Sequence, residues 1–176
     1  MTTDRKGQAN KAYNFGGTSD YIDVGTGLAG KTYPLTFSAW VKPTTLAQDA
    51  IIVNFDVTDA NSDFAFGIYN SGNQILVGRS TYQYGLTGPS TYLTAGQWSH
   101  WVVVFTDTTH IAFYLNGVAQ TLSNISQYYS VDGSRVTIGY RGGASPDKWI
   151  NGSIDEVRIY NRALSATEVK ALYESY

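Results

Sequence analysis

From Leu35 to Val41 the chain alternates. Leu35, Phe37, Ala39 and Val41 share one parity, while Thr36, Ser38, Trp40 and Lys42 share the other. That period of two marks a strand with one buried and one partly exposed face. Pro34 and Pro43 bound it, where a missing N–H harms no ladder. Ile51 to Asp56, Phe64 to Tyr69 and Ile75 to Arg79 read as further strands. Trp98 to Phe105 is apolar on both parities, which predicts a central strand covered on both sides. Ile111 to Leu115 runs into Asn116-Gly117, a hairpin signal, because both residues tolerate positive φ. Arg135 to Tyr140 and Ser153 to Tyr160 complete the set. Only the C-terminus reads as helix. Ser165 and Glu168 have the spacing of a capping box, Leu164 and Val169 that of a hydrophobic staple, and Leu172 and Tyr173 continue the apolar face. About ten strands and one short helix predict an all-β sandwich of two antiparallel sheets.

Composition narrows the function classes. The chain has 176 residues, 43% hydrophobic and 15% charged, which fits one domain spanning 1–176 with its own core. Twelve basic and fourteen acidic side chains leave a net charge of -2 and no phosphate-binding surface, so nucleic acid is excluded as a partner. No apolar run approaches the ~20 residues that cross a bilayer, so membrane insertion is not expected. The absence of cysteine removes disulfides, thiolate metal sites and a Cys nucleophile together. Met1 to Lys11 is polar and lacks the apolar core of a signal peptide. The chain is then either intracellular or a domain of a longer exported precursor.

Two carboxylates stand out. Asp20 shares parity with Ile22 and Val24, and Asp155 with Val157 and Ile159, so each is expected to face the core side of its strand. A buried carboxylate needs a cation or several donors. The first and last strands of a sandwich often lie side by side, which would join the two Asp. With carbonyls from the turn Asn14, Gly16 and Thr18 they would form a hard oxygen site suited to Ca²⁺. The competing reading has Asp20 capping a turn and Asp155 pairing with Arg158 or Arg162.

Glycan recognition uses aromatic faces beside planar polar groups, and three segments offer that mixture. They carry Tyr82 and Tyr84; Tyr128 and Tyr129; and Tyr140, Arg141, Asp147, Lys148 and Trp149. Trp149 has the largest stacking face. Its place just before Ile150-Asn151-Gly152 equally suits packing at a strand entrance. Catalysis has less support. His100 and His110 lack a Ser and Asp constellation. The acidic run Asp56, Asp59, Asn61 and Asp63 lacks the Gly and terminal Glu of a calcium-binding loop and reads as a solvated hairpin tip.

Ala12-Tyr13-Asn14-Phe15-Gly16-Gly17-Thr18-Ser19-Asp20-Tyr21-Ile22 resembles the opening of concanavalin A-like, laminin-G-type (LamG) jelly-roll domains of bacterial extracellular proteins. Phe37 to Pro43, Gln97 to Val102, Tyr114 to Gly117 and above all Gly152 to Ser165 match later family segments in order. The resemblance implies a jelly-roll sandwich with a short C-terminal helix. An immunoglobulin-type sandwich would explain neither the capping box nor that order. The resemblance also implies a structural Ca²⁺ where the first and last strands meet, carried onto Asp20 and Asp155. Gly16 stands where the family often has Asp. The family includes glycoside hydrolases, but the Glu-x-Asp-x-x-Glu spacing of laminarinase-like members is absent, and the three Glu are 156, 168 and 174. The missing constellations make the chain non-catalytic, and the resemblance implies a calcium-stabilised module of a secreted or surface protein, joined to other domains of a parent chain. The loop aromatics favour a polysaccharide or glycoconjugate as partner, and the alternative is an adhesive module that binds protein or nothing.

Overall fold

The computed structural model describes residues 1–26, 33–47, 49–56, 64–69, 74–79, 93–107, 110–122, 135–141 and 148–175. In chain order the strands are β1 (Tyr13–Gly16), β2 (Ile22–Gly25), β3 (Leu35–Pro43), β4 (Ala50–Asp56), β5 (Phe64–Tyr69), β6 (Gln74–Arg79) and β7 (Ser99–Phe105). They continue with β8 (Ile111–Leu115), β9 (Val118–Gln120), β10 (Arg135–Ile138), β11 (Tyr140–Arg141), β12 (Lys148–Trp149) and β13 (Asn151–Tyr160), before helix α1 (Ala166–Glu174). Among the described residues, one sheet has the order β1-β13-β3-β7-β8-β9 and the other β2-β10-β4-β5-β6. A small hairpin pairs β11 with β12. The last long strand thus lies between β1 and β3, so the first and last strands are neighbours, as expected.

The core fills the space between the sheets. Phe37, Phe55 and Phe105 meet edge to face at 4.7 and 5.9 Å, and Trp101 meets Phe113 at 5.7 Å. β7 is buried on both parities, as its sequence predicts. β3 is too, which corrects the half-exposed face expected for Thr36, Ser38 and Trp40. The cover comes from the two ends of the chain. Leu164 and Val169 pack with Val102, Val104 and Tyr114 in a second cluster on the outer face of the six-stranded sheet. Thr36 Oγ1 donates to the Arg162 carbonyl and accepts from Leu164 N–H, fixing the strap that leads into α1. Trp40 stacks with His100 at 5.1 Å and with Tyr173 of α1 at 5.7 Å, and the Arg5 guanidinium lies 4.4 Å over the Trp40 ring.

Local signals hold where they are short-range. Ser165 and Glu168 form the capping box. Asn116 and Gly117 take φ of 51° and 77°, the conformation their hairpin requires. The Asn116 carboxamide oxygen also accepts the His100 N–H at 2.8 Å. Among the described residues, no helix is long and apolar enough to cross a membrane.

Candidate functional site

Arg135 to Tyr140 does not continue as one strand. Gly139, at φ 87°, turns the chain out of β10 and into β11. Its N–H donates to Ile52 O at 2.9 Å and its carbonyl accepts from Ile150 N–H at 3.0 Å, which ties the β11–β12 hairpin to β4. Buried Ile150 anchors the return. In that hairpin Tyr140 lies directly opposite Trp149, and Arg141 opposite Lys148. Cross-strand partners sit close enough for their side chains to meet. The Tyr140 and Trp149 rings accordingly stack at 3.9 Å and 20°.

Tyr21, 44% exposed, leans on both rings at 5.4 and 6.0 Å. It enters just ahead of β2. Two residues on, Asp23 receives Arg135 of β10 in a two-pronged pair, Nε to Oδ1 at 3.1 Å and Nη2 to Oδ2 at 2.7 Å. Tyr21 and Asp23 lie two residues apart on the exposed side of the chain. The Asp23 carboxylate raises the Arg135 pKa above its ordinary value, and Arg135, with the Gly25 N–H, holds Asp23 below its own. Lys148 Nζ is 2.7 Å from Asp49 Oδ2. The result is a continuous strip: Trp149, Tyr140, Tyr21, Arg135, Asp23. Aromatic surface at one end passes into paired hydrogen-bonding groups at the other.

Of the ligand residues expected from sequence, Trp149 and Tyr140 are brought together, and Arg141 shares their hairpin. Tyr82, Tyr84, Tyr128 and Tyr129 lie outside the described residues. Tyr21, Asp23 and Arg135 join the strip without having stood out in the sequence. Tyr21 and Asp23 share one outward parity, but their partner Arg135 is 112 positions away, and no local pattern reveals that pairing.

Neither carboxylate faces the core. Asp20 is exposed in the turn before β2, where its Oδ2 accepts the Gly16 N–H at 2.7 Å, and Val24 is exposed as well. It caps a turn. Asp155 is separated from Val157 by a bulge: Asp155 lies opposite Trp40 and Arg158 opposite Ser38, with Glu156 at φ 50° in between. The extra residue reverses the parity. Ile154 therefore faces the core, while Asp155 shares the outer face with Trp40. It is half-buried and accepts the Glu156 N–H. Burial, with Glu156 and Asp4 nearby, raises its pKa, against the pull of Arg5. It borders a cleft of about 290 Å³ with Asp4, Arg5, Lys6 and Lys11.

Nor does the register join the two carboxylates. Gly16 lies opposite Asn151 and Asn14 opposite Ser153. Asp155 is four residues beyond Asn151, or ~13 Å along the strand. A Cβ on Gly16 would sit 3.1 Å from Asp20 Oδ2, so the Asp20 carboxylate crowds the place where the family often has Asp. Thr18 is exposed in the same turn. Among the described residues no group of three or more His, Cys, Asp or Glu could hold a metal. The residues present do not fit a calcium ion shared by Asp20 and Asp155. Asp155→Asn is expected to leave the difference between the melting temperatures in chelator and in millimolar Ca²⁺ unchanged within about a degree; loss of a tight ion shared with Asp20 would instead remove several kcal/mol of calcium-dependent stability.

The three Glu hold structural contacts: Glu156 with Arg158, Glu168 in the capping box and with Arg162, and Glu174 with Lys170. His100 is buried, and His110 pairs with Asp107 on the surface.

Two antiparallel sheets in this order, with the chain's last long strand inside the first sheet and a C-terminal helix against it, define a jelly-roll domain of the lectin-like class. The chain belongs to the concanavalin A-like lectin/glucanases superfamily, whose laminin-G-type profile matches residues 15–170. No curated protein matches it. Among solved structures it is similar to domain 4 of AbnA, a GH43 extracellular arabinanase from Geobacillus stearothermophilus in complex with arabinotriose. That likeness is at 24% identity and TM-score 0.69, covering 92% of this chain and 76% of that one. It is also similar to the CBM40 of the Ruminococcus gnavus IT-sialidase bound to α2,3 sialyllactose, at 11% identity and TM-score 0.73, covering 93% and 97%. The receptor binding domain of botulinum neurotoxin D follows at 19% identity and TM-score 0.65, covering 96% of this chain and 45% of that one. Sialidase chains of Trypanosoma rangeli match too, one at 17% identity and TM-score 0.68 over 96% of this chain and 28% of that one. At these identities the likeness establishes the fold, which carbohydrate-binding domains, receptor-binding domains and enzymes all use.

Proposed function

We propose that the chain is a non-catalytic carbohydrate-binding module of a secreted or surface protein, and that the strip from Trp149 to Asp23 is its glycan site. One observation carries the reading: Tyr21, Tyr140 and Trp149 gather at the surface beside a two-pronged Asp–Arg pair. Such a strip offers sugar rings an apolar platform and their hydroxyls fixed donors and acceptors. The arabinotriose and sialyllactose complexes of similar domains support a glycan as partner, and the extracellular arabinanase supports the placement outside the cell. The commitment of all three Glu to structural contacts supports a binding rather than a hydrolytic role.

Tyr21→Ala is the cleanest test, because Tyr21 is the most exposed ring of the strip. Binding to any polysaccharide found on a glycan array should weaken by about tenfold or more. The melting temperature should move by less than about 2 °C. Trp149→Ala should weaken binding at least as much and also cost about 1 kcal/mol of stability, since its ring packs on Tyr140. Full affinity in both variants would remove the strip as the site.

A further inference from the structure

The charges along the strip point to the class of sugar. This inference rests on the glycan-binding reading above. Two of the cations beside the rings are each bonded to a carboxylate: Arg135 to Asp23 and Lys148 to Asp49, both at 2.7 Å. At these two cations an acidic sugar would meet charge that is already compensated, and its carboxylate would face Asp23 or Asp49 at close range. The same pairing suits uncharged hydroxyls. A guanidinium carries five donors, of which Asp23 takes two among the described residues. The Asp23 carboxylate, with about four acceptor positions, takes two bonds from Arg135 and one from Gly25. Donor and acceptor capacity thus remains side by side at a site whose two side chains are 44% and 42% exposed.

We infer that the strip selects a neutral saccharide with two adjacent hydroxyls, one donating to Asp23 and the other accepting from Arg135, while a neighbouring ring stacks on Tyr21. Holding the two groups in one bidentate pair fixes their spacing, so the diol geometry is read by a rigid fork. The pair discriminates by hydrogen bonding and leaves binding insensitive to salt.

Titration of the full chain against neutral probes (arabinan, xylan, β-glucan, galactan and mannan oligosaccharides) and anionic probes (oligogalacturonate, sialyllactose and heparin fragments) tests this at about 20 and 300 mM NaCl. The expected result is binding within the neutral set only, changing by less than about twofold between the two salts. Asp23→Ala and Arg135→Ala should each weaken it about tenfold or more. Asp23→Asn, which keeps the shape and the acceptor for the Gly25 N–H, guards against a folding defect, and Arg135→Lys should fail to restore affinity because it loses the fork. Preference for the anionic set, with affinity falling as salt rises, overturns the inference and leaves the glycan reading standing. Neutral binding that needs Tyr21 but neither Asp23 nor Arg135 does the same. Silence from both sets overturns both.

Discussion

Gly139→Ala is expected to lower the melting temperature by about 10 °C and to weaken any binding at the aromatic strip. Two costs combine. The residue sits at φ 87°, where an L side chain costs about 1–2 kcal/mol. Its new Cβ would also lie 2.6 Å from the Phe15 ring and 3.4 Å from Ile150 Cγ2. Phe15 is packed in the core, so the ring cannot simply swing away, and overpacking of this kind costs about 1–3 kcal/mol. In a domain of this size each kcal/mol moves the midpoint by about 2–4 °C. Gly96→Ala is the matched control. It has φ 78°, and a methyl group added there would find nothing within 4 Å, so it carries the backbone cost alone. The difference between the two variants isolates the contact with Phe15. Equal midpoints would show that the ring yields freely. The loss of binding follows because Gly139 is the pivot that sets Tyr140 opposite Trp149.

Acidification below pH 6.5 should destabilise the fold through one imidazole. The His100 imidazole is fully buried, with its Nε2 2.8 Å from Ser38 Oγ. Burial, helped by Arg5 and Arg158, pushes its pKa from 6.5 down to about 4. The unfolded chain therefore takes up the proton first as the pH falls. The stability that depends on neutral His100 is complete above pH 6.5, and it is lost progressively down to about pH 4. Across that window the loss reaches ~3 kcal/mol. Asp23 and Glu168, whose pKa values are lowered, add their own losses only below the ordinary carboxylate values of 3.8 and 4.5. Asp155, raised by burial, works in the opposite sense and gains stability as it protonates. Urea unfolding at pH 7.5, 5.5 and 4.5 should show the decline already at the second point, and His100→Gln should flatten it. An unfolding free energy unchanged from pH 7.5 to 4.5 would rule the mechanism out.

The strands and the helix cap were legible because they rest on local periods. Leu35 to Val41, Trp98 to Phe105, the Asn116-Gly117 turn and the Ser165 capping box all follow from neighbouring residues. Parity misplaces Asp155 because one positive-φ residue, Glu156, changes the phase of everything that follows it. A bulge at a residue other than Gly leaves no period to read. The site was half legible. Tyr140 and Trp149 stood out as aromatics among Arg141, Asp147 and Lys148, but Gly139 as their pivot did not. Tyr21, Asp23 and Arg135 meet only because β2 pairs with β10, and such register is a property of the whole sandwich. The cover on Trp40, Thr36 and Ser38 was hidden for the same reason, since it arrives from both ends of the chain.

That cover has a mechanical consequence. β1 and β13 are antiparallel neighbours, and the Tyr13 end of one lies beside Ile154 of the other, toward the side from which β13 runs on to α1. Tension applied through the two ends of the chain would peel this pair open one hydrogen bond at a time, the weakest geometry for a sheet under load. Arg5 and Tyr173 both rest on Trp40, one from each end, and they lie ahead of the first of those bonds. The ring stack is placed as a latch that must release before the seam can run.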